Sequence, residues 1–460
     1  MPETNDNSVS KKVALFVTTL SAFLTTFMGA AINVALPKIG NEFSIDNIMQ
    51  GWIATVYVLS AAIFLVPFGK LADIYGRKKI FTIGVIVYTI SSFISAVAPD
   101  AITLLYARAL QGIGGSMIFG TAIAILTSVY PANERGKVLG YNLAATYMGL
   151  SLGPVIGGIL THQLGWRSIF YLSTILCCIL LFFVLRKLKG EWAEDKGDKF
   201  DIWGSVLYMA GLLGIMYGFT ILPSLDGIII LCTGIILIII FMYLQKKVKF
   251  PIFNLTQFKK NTVFIFSNLA AFINYSATFA VGYLLSLYLQ YIKGFNPQEA
   301  GLIMVAQPIT MAIFSPIAGR LSDKIEPQIV ATIGMILTVI GLVPFIFLSN
   351  DTSVTYIVCT LLLIGIGFAL FSSPNTNAIM SSVERKYYGL ASASLGTMRL
   401  TGQTISMGIA TLIFGMHLGR VKITPDYFPQ FIDSTKITFI VFTVLCAIGV
   451  FASLARGKLR

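Results

Sequence analysis

Gly69-Lys70-Leu71-Ala72-Asp73-Ile74-Tyr75-Gly76-Arg77-Lys78-Lys79 stands between two long apolar runs, one closing at Phe68 and the other opening at Ile80. A polar, basic interruption of that length reads as a hairpin connection between two membrane helices. Its outline returns 250 positions later as Gly319-Arg320-Leu321-Ser322-Asp323, again where an apolar run closes, which makes the chain two related halves. A second pair carries the same message: Gly136 and Gly149 match Gly389 and Gly402 at an offset of 253.

The composition of the whole chain agrees with membrane helices. Of 460 residues, 56% are hydrophobic and only 12% charged, and the mean hydropathy is +0.82, too apolar for an ordinary soluble globule. Backbone polar groups in lipid must be satisfied within a helix or a closed barrel, and these runs suit helices rather than alternating barrel strands. The net charge of +13 reads as basic residues drawn to one membrane face, since no basic patch with interleaved aromatics points to nucleic acid. The five cysteines, at 177, 178, 232, 359 and 446, lie in apolar runs without metal or redox spacing.

The runs predict fourteen spans, at 13–36, 50–69, 79–98, 102–129, 137–161, 167–185, 202–221, 227–245, 262–290, 298–319, 327–348, 354–378, 389–416 and 435–455. The first ten residues read as disordered, and the run from Val13 to Pro37 as an uncleaved first span. Lys11, Lys12, Lys70, Arg77, Arg135, Lys137, the segment 186–199, the segment 246–260, Arg320, Lys324, Arg385, Lys386 and the segment 456–460 fall on one side. Lys38, Arg167, Lys293, Arg420 and Lys422 are scattered on the other. The positive-inside rule then puts both termini in the cytoplasm. The charged segment 186–199 and the basic segment 246–260 divide the chain into a six-helix bundle over 1–190, two intervening helices over 191–250 and a second six-helix bundle over 251–460.

The string Gly69-x-Leu71-Ala72-Asp73-x-x-Gly76-Arg77-Lys78-Lys79 resembles the loop between the second and third helices of the major facilitator superfamily. That resemblance implies a conformational latch formed by Gly69, Asp73, Gly76, Arg77 and Lys78; read alone, the same cations would simply hold the loop in the cytoplasm. Gly149-x-x-x-Gly153-Pro154-x-x-Gly157-Gly158 resembles the antiporter motif of exporters in that superfamily, whereas as chemistry it provides close helix packing and a bend at Pro154. Arg108-x-x-Gln111-Gly112-x-Gly114-Gly115 resembles a third motif, whose arginine is linked to proton transfer or substrate. A mid-helix arginine costs about 2.5–3.5 kcal/mol on insertion scales, so Arg108 and Arg399 should face protein or a wet cavity. Asp201-x-x-Gly204 and the fourteen spans resemble the fourteen-helix drug:proton antiporters. Many members of that branch carry an Asp five residues before the Asn of Asn33-Val34-Ala35-Leu36-Pro37; here that position is Met28, and no predicted span holds an Asp or Glu well inside it.

The expected fold is therefore an all-α polytopic membrane protein of the major facilitator type, 6 + 2 + 6 helices with a pseudo-twofold relation between bundles. Cavity candidates are Asn33, Trp52, Tyr57, Asn142, Asn274, Tyr275, Gln307 and Asn375, with Arg108, Gln111 and Arg399 as coupling or substrate residues. The resemblance implies secondary active export of amphipathic small molecules or drugs, by proton antiport through alternating access, in a monomer of the plasma membrane. It implies no cofactor, the proton gradient as energy source, and small molecule, protons and lipid bilayer as partners. The missing carboxylate keeps a second expectation open: export or facilitated passage of an anionic or neutral metabolite without carboxylate-based coupling. The spans offer no convergent nucleophiles or His pairs for an enzyme; a receptor on the same fold would bind ligand without flux.

Overall fold

The structure, a computed structural model, describes residues 4–252, 261–383, 388–419 and 421–457. Its helices are α1 (Thr4–Phe43), α2 (Asn47–Tyr75), α3 (Arg77–Ala96), α4 (Ala101–Val129), α5 (Ala132–Gln163), α6 (Arg167–Arg186), α7 (Ile202–Thr220), α8 (Leu225–Gln245), α9 (Thr262–Thr278), α10 (Val281–Leu287), α11 (Pro297–Met304), α12 (Ala306–Lys324), α13 (Pro327–Leu342), α14 (Val354–Ser381), α15 (Tyr388–His417) and α16 (Phe428–Ala455). The ninth crossing is broken: α9, α10 and a π-turn over Tyr288–Ile292 follow one another. The tenth consists of α11 and α12, interrupted at Val305. Among the described residues, thirteen crossings are long and apolar enough to span a bilayer by themselves. The remaining one, α15, replaces large apolar side chains with Gly, Ser, Thr and Gln403, and it packs against α9, α2, α16 and α7.

Three expectations are corrected. The backbone is already helical from Thr4, so the polar start extends α1 instead of lying disordered. The stretch 69–79 is no extended hairpin: α2 runs to Tyr75, α3 begins at Arg77, and the whole turn is Gly76 at φ 116°, a left-handed value that suits glycine. The ninth span is not one regular helix. Asp201 does open α7, accepting from the Gly204 amide at 2.8 Å. Arg385, Lys386, Arg420 and positions 253–260 and 458–460 lie outside the described residues, as do the side chains of Arg135, Gly136, Lys137, Asp323 and Gly389.

Because lipid tails are as apolar as leucine, helices in a membrane associate through close packing, which small residues permit. That chemistry builds both halves the same way. A Cβ on Gly149 would stand 2.5 Å from the Phe23 carbonyl oxygen, so α5 lies directly on α1. A Cβ on Gly402 would stand 2.6 Å from the Phe272 carbonyl oxygen, so α15 lies directly on α9. Gly84 faces the Gly114 carbonyl between α3 and α4, and Gly334 faces that of Gly367 between α13 and α14. Each glycine of the first set has its counterpart 250 to 253 positions on, and the structure gives both the same task.

α1 to α6 pack among themselves, and α9 to α16 do likewise. The two sets meet where α5 lies against α11 and α12, α2 against α15, and α1 against α10. α7 touches both α2 and α15, with Tyr217 beside Trp52 at 5.9 Å between ring centroids and Phe219 beside Gly408. It therefore lies along the seam. α8 packs on α7 and leaves Ile228, Ile229, Ile235, Ile236, Ile239 and Ile240 exposed.

Candidate functional site

The near end of the molecule carries Gly76, the 187–201 connection, the start of α1 and the end of α16; the far end carries the turns at 44–46, 97–100 and 293–296. At the far end the two halves are tied together. Ser286 Oγ donates to the Asn33 carbonyl at 2.6 Å, Gln290 Nε2 to that of Val34 at 3.0 Å, and the Tyr283 hydroxyl to that of Asn47 at 3.3 Å. The Asn47 amide donates to the Val421 carbonyl at 3.2 Å. Backbone also meets backbone: a Cβ on Gly158 would lie 2.5 Å from the Pro297 carbonyl oxygen, and one on Gly301 would lie 2.8 Å from the Pro154 carbonyl carbon. In this state the far end is shut.

Deeper between the halves is a polar cluster. Arg399 on α15 is half-buried, stacks its guanidinium over the Tyr275 ring at 5.2 Å, and leaves Nε without a partner. Tyr147 on α5, from the opposite half, reaches Ser315 and Ser372 and lies within the electrostatic influence of Tyr275 and Arg399. Behind them Asn375 donates to the Ser267 carbonyl at 3.1 Å but leaves Oδ1 unpaired. Asn274, fully buried, pairs neither its oxygen nor its nitrogen. Buried polar groups are ordinarily bonded, and an unbonded one costs about 1–3 kcal/mol. Arg399 Nε, both amide atoms of Asn274 and Asn375 Oδ1 are thus polar atoms in this half that the protein leaves unpaired.

Arg108 is elsewhere. It is fully buried inside the first half, with Nη1 donating to Gln111 Oε1 at 2.5 Å, Nε to the Ile53 carbonyl at 3.4 Å, and its guanidinium 4.6 Å from the Tyr57 ring centroid. Gln111 in turn donates to Ser92 Oγ at 2.8 Å. Gly112 and Gly114 allow this enclosure: Cβ atoms there would stand 2.8 Å from Ser60 Cβ on α2 and 2.7 Å from the Tyr88 nitrogen on α3.

At the near end the Gly76 turn is held by the segment that follows α6. Arg77 bonds Asp73 and Glu194, each at 2.8 Å, and Ser128 Oγ at 2.7 Å. Lys70 bonds Asp195 at 2.6 Å and Asp198 at 3.2 Å. Glu191 accepts from the first amides of α3, those of Lys78 and Lys79, at 2.8 and 3.1 Å, where the helix dipole favours an anion. The Asp195 amide donates to the Asp73 carbonyl at 3.0 Å and the Arg77 amide to that of Trp192 at 2.8 Å. The acids of 191–198 thus form a strap over the turn.

A family model described as the Major Facilitator Superfamily matches residues 18–265 and 268–458. The chain belongs to that superfamily. Among its relatives are the riboflavin transporter RibZ of Clostridioides difficile strain 630, 29% identical over 442 residues that cover 95% of this chain and 96% of that one, and the multidrug transporter protein MdtP of Bacillus subtilis strain 168, 28% identical over 94% of this chain and 81% of that one. The crystal structure of a bacterial homolog of the human lysosomal transporter Spinster shares the fold, with a TM-score of 0.71 at 16% identity over 97% of both chains.

The expected residues of this facilitator fold do not share one cavity. Arg399 stacks on Tyr275, and both act on Tyr147 of the opposite half; Asn375 bonds the Ser267 carbonyl and Asn274 is buried in α9. Arg108, Gln111 and Tyr57 lie sealed within the first half, because the glycines of α4 draw α2 and α3 over them. Asn142 ties α5 to the Thr18 carbonyl of α1 at 3.0 Å. Trp52 faces Tyr217 of α7, Asn33 lies at the far-end seam, and half-buried Gln307 opens α12 with its carbonyl bonded by Thr310. Of the exporter-like string, Gly149, Gly153 and Gly157 pack on α1, while Pro154 and Gly158 touch α11 of the other half. Among the latch residues, Gly69 has open space at its α-carbon, and Asp73, Gly76, Arg77 and Lys78 are engaged by the strap or by each other. Ser315, Ser372 and the strap itself were not expected; the alternation of acids in Glu191-Trp192-Ala193-Glu194-Asp195, set against a basic turn, was the available signal.

Proposed function

We propose that the protein exports an amphipathic, ring-bearing small molecule, neutral or anionic, by alternating access, and that Arg399, Tyr275, Tyr147, Asn274 and Asn375 hold it. The observation that carries this reading is Arg399: a half-buried cation with an unpaired Nε, stacked on Tyr275 and facing Tyr147 across the seam. Among the described residues no Asp or Glu lies near the middle of a crossing, so nothing there would neutralise a cationic cargo. The relatives' names, riboflavin transport for one and multidrug transport for another, agree with aromatic cargo. In this reading the halves 1–190 and 251–460 rock about the cluster while 191–250 follows along the seam. The basic near end faces the cytoplasm with both termini, and the unit is a monomer in the plasma membrane.

A second reading, proton-coupled efflux of drugs that include cations, is favoured by the string Gly149 to Gly158, which resembles that of exporters. It requires a protonatable group other than a mid-membrane carboxylate, with Asp73 as a candidate.

Proteoliposome flux separates the two. Riboflavin and a fluorescent lipophilic cation are each followed with a pH gradient, with voltage alone and with neither. The first reading expects flux of riboflavin, reduced about 10- to 150-fold in affinity by Arg399→Gln, as loss of one hydrogen bond to a charged group of about 1.5–3 kcal/mol requires. Gradient-driven cation flux that ignores Arg399→Gln would replace it with the second.

A further inference from the structure

At the near end the start of α7 and the end of α8 are clasped together. Gln245 Nε2 donates to Asp201 Oδ2 at 2.6 Å, and Gln245 Oε1 accepts from the Ile252 amide at 2.7 Å. The second bond closes the chain 246–252 into a loop, with Ile252 buried and Lys246, Lys247 and Lys249 exposed. Lys199, also exposed, stands two residues before Asp201. Four cations therefore accompany one carboxylate, and that carboxylate is engaged by Gln245 and by the Gly204 amide. The acids of the strap are engaged as well, by Lys70, Arg77 and the first amides of α3. Among the described residues no carboxylate bonds Lys246, Lys247 or Lys249. Lys247 instead reaches the Tyr243 hydroxyl at 2.7 Å and lies over that ring, and Lys249 lies over Phe250.

These lysines end an apolar stripe. Ile236, Ile240 and Tyr243 are exposed at spacings that share one face of a helix, and Lys247 continues that face. Across the clasp Ile202 and Trp203 of α7 are exposed too, Trp203 by 79%, where a tryptophan settles among lipid headgroups. We propose that this corner is a docking surface for an anionic phospholipid, with its phosphate against Lys246, Lys247 and Lys249 and an acyl chain along Ile236, Ile240 and Tyr243. The charge selects the headgroup: a zwitterionic lipid would bring its own cation to a place that already has an excess of them. The stripe selects the source, since a soluble phosphate would use the cations alone. The surface belongs to the two intervening helices and shares no residue with the Arg399 cluster, so it stands or falls without reference to the cargo.

The test uses the full-length protein in bilayers and the fluorescence of Trp203, taken as the difference between the protein and Trp203→Phe. Phosphatidylglycerol or phosphatidylcholine with brominated chains, each a minor component of the same phosphatidylcholine bilayer, quenches a tryptophan that it adjoins. Brominated phosphatidylglycerol is expected to quench Trp203 more than its zwitterionic counterpart does, and the excess should shrink as salt screens the lysines. Each lysine near such a surface contributes about fivefold in affinity. Lys246→Gln with Lys247→Gln and Lys249→Gln should therefore raise the amount of anionic lipid needed for half the effect by about tenfold or more. Arg186→Gln with Lys187→Gln and Lys196→Gln removes the same charge from exposed positions of the same end and should leave the excess in place. Glycerol phosphate in solution, at matched ionic strength, should not displace it. Equal quenching by the two lipids would overturn the proposal. So would an excess that survives the first triple substitution, falls equally with the second, or is displaced by glycerol phosphate.

Discussion

Gly301→Ala is the substitution from which the structure demands most. A Cβ there would stand 2.8 Å from the Pro154 carbonyl carbon and closer still to its oxygen, where ordinary contact begins near 3.4 Å. The obstacle is backbone on a helix already bent at proline, so neither side can rotate away. Overpacking of this kind costs about 1–3 kcal/mol. Because Pro154 is on α5 and Gly301 on α11, the strain exists only while the far end is shut, and the equilibrium should move about 5- to 150-fold toward states in which it is open. Gly282→Ala is the matched control, since a Cβ there meets nothing nearer than 3.6 Å although it faces Asn33 across the same seam. Spin labels at Leu164→Cys and Asp351→Cys, both exposed at the far end in opposite halves, in a background without the five native cysteines, report the separation by pulsed electron resonance. Gly301→Ala should add or enrich a longer distance, and Gly282→Ala should not. A folded Gly301→Ala protein with the unaltered distance distribution would refute the claim that this seam is packed backbone on backbone.

Other substitutions sort the roles. Arg77→Gln removes bonds to Asp73, Glu194 and Ser128 from a side chain 6% exposed and should lower stability by about 1–3 kcal/mol in thermal unfolding; Glu194→Gln, at a side chain 69% exposed, should cost less than about 1 kcal/mol. Gly149→Ala should destabilise strongly, because its Cβ would collide with α1 at Phe23 and Thr26, while Gly140→Ala on the same helix meets nothing within 4 Å and should gain about 0.4–1 kcal/mol. Asn274→Leu exchanges an unbonded buried amide for an apolar group of the same branching, so the midpoint should hold or rise while transport falls.

What could be read in the sequence followed what lipid imposes on every residue alike. Apolar length, basic near-end connections and glycine spacing are linear features, and they gave the crossings, the repeat and the packing string. Direction is not linear in the same way. α2 and α4 are apolar nearly all round, so nothing in their pattern tells that Tyr57 and Arg108 turn inward while Trp52 turns toward α7. The π-turn at Tyr288–Ile292 depends on register against α1, where Ser286 and Gln290 find the Asn33 and Val34 carbonyls. α15 is the converse case: it reads as a span over 389–416 despite its Gly, Ser and Thr, and neighbours on four sides make those small residues an advantage.

The two ends of the molecule hold this state by different means, and the difference bears on what must happen when it changes. Among the described residues, Lys70, Asp73 and Arg77 bond only within the first half and the strap that follows it. They can stay satisfied while the halves move, and they tie nothing across the seam here. At the far end the ties do cross it, from Ser286, Gln290, Tyr283 and the Asn47 amide. Opening that end exposes donors and carbonyls that water can take over, each at a net cost of about 0.5–1.5 kcal/mol, together with backbone contacts at Gly158 and Gly301 for which water offers no equivalent. What holds the far end shut in this state is therefore two glycines and four hydrogen bonds. Lengthening one side chain there should do more to the balance of states than breaking the ion pairs around Gly76.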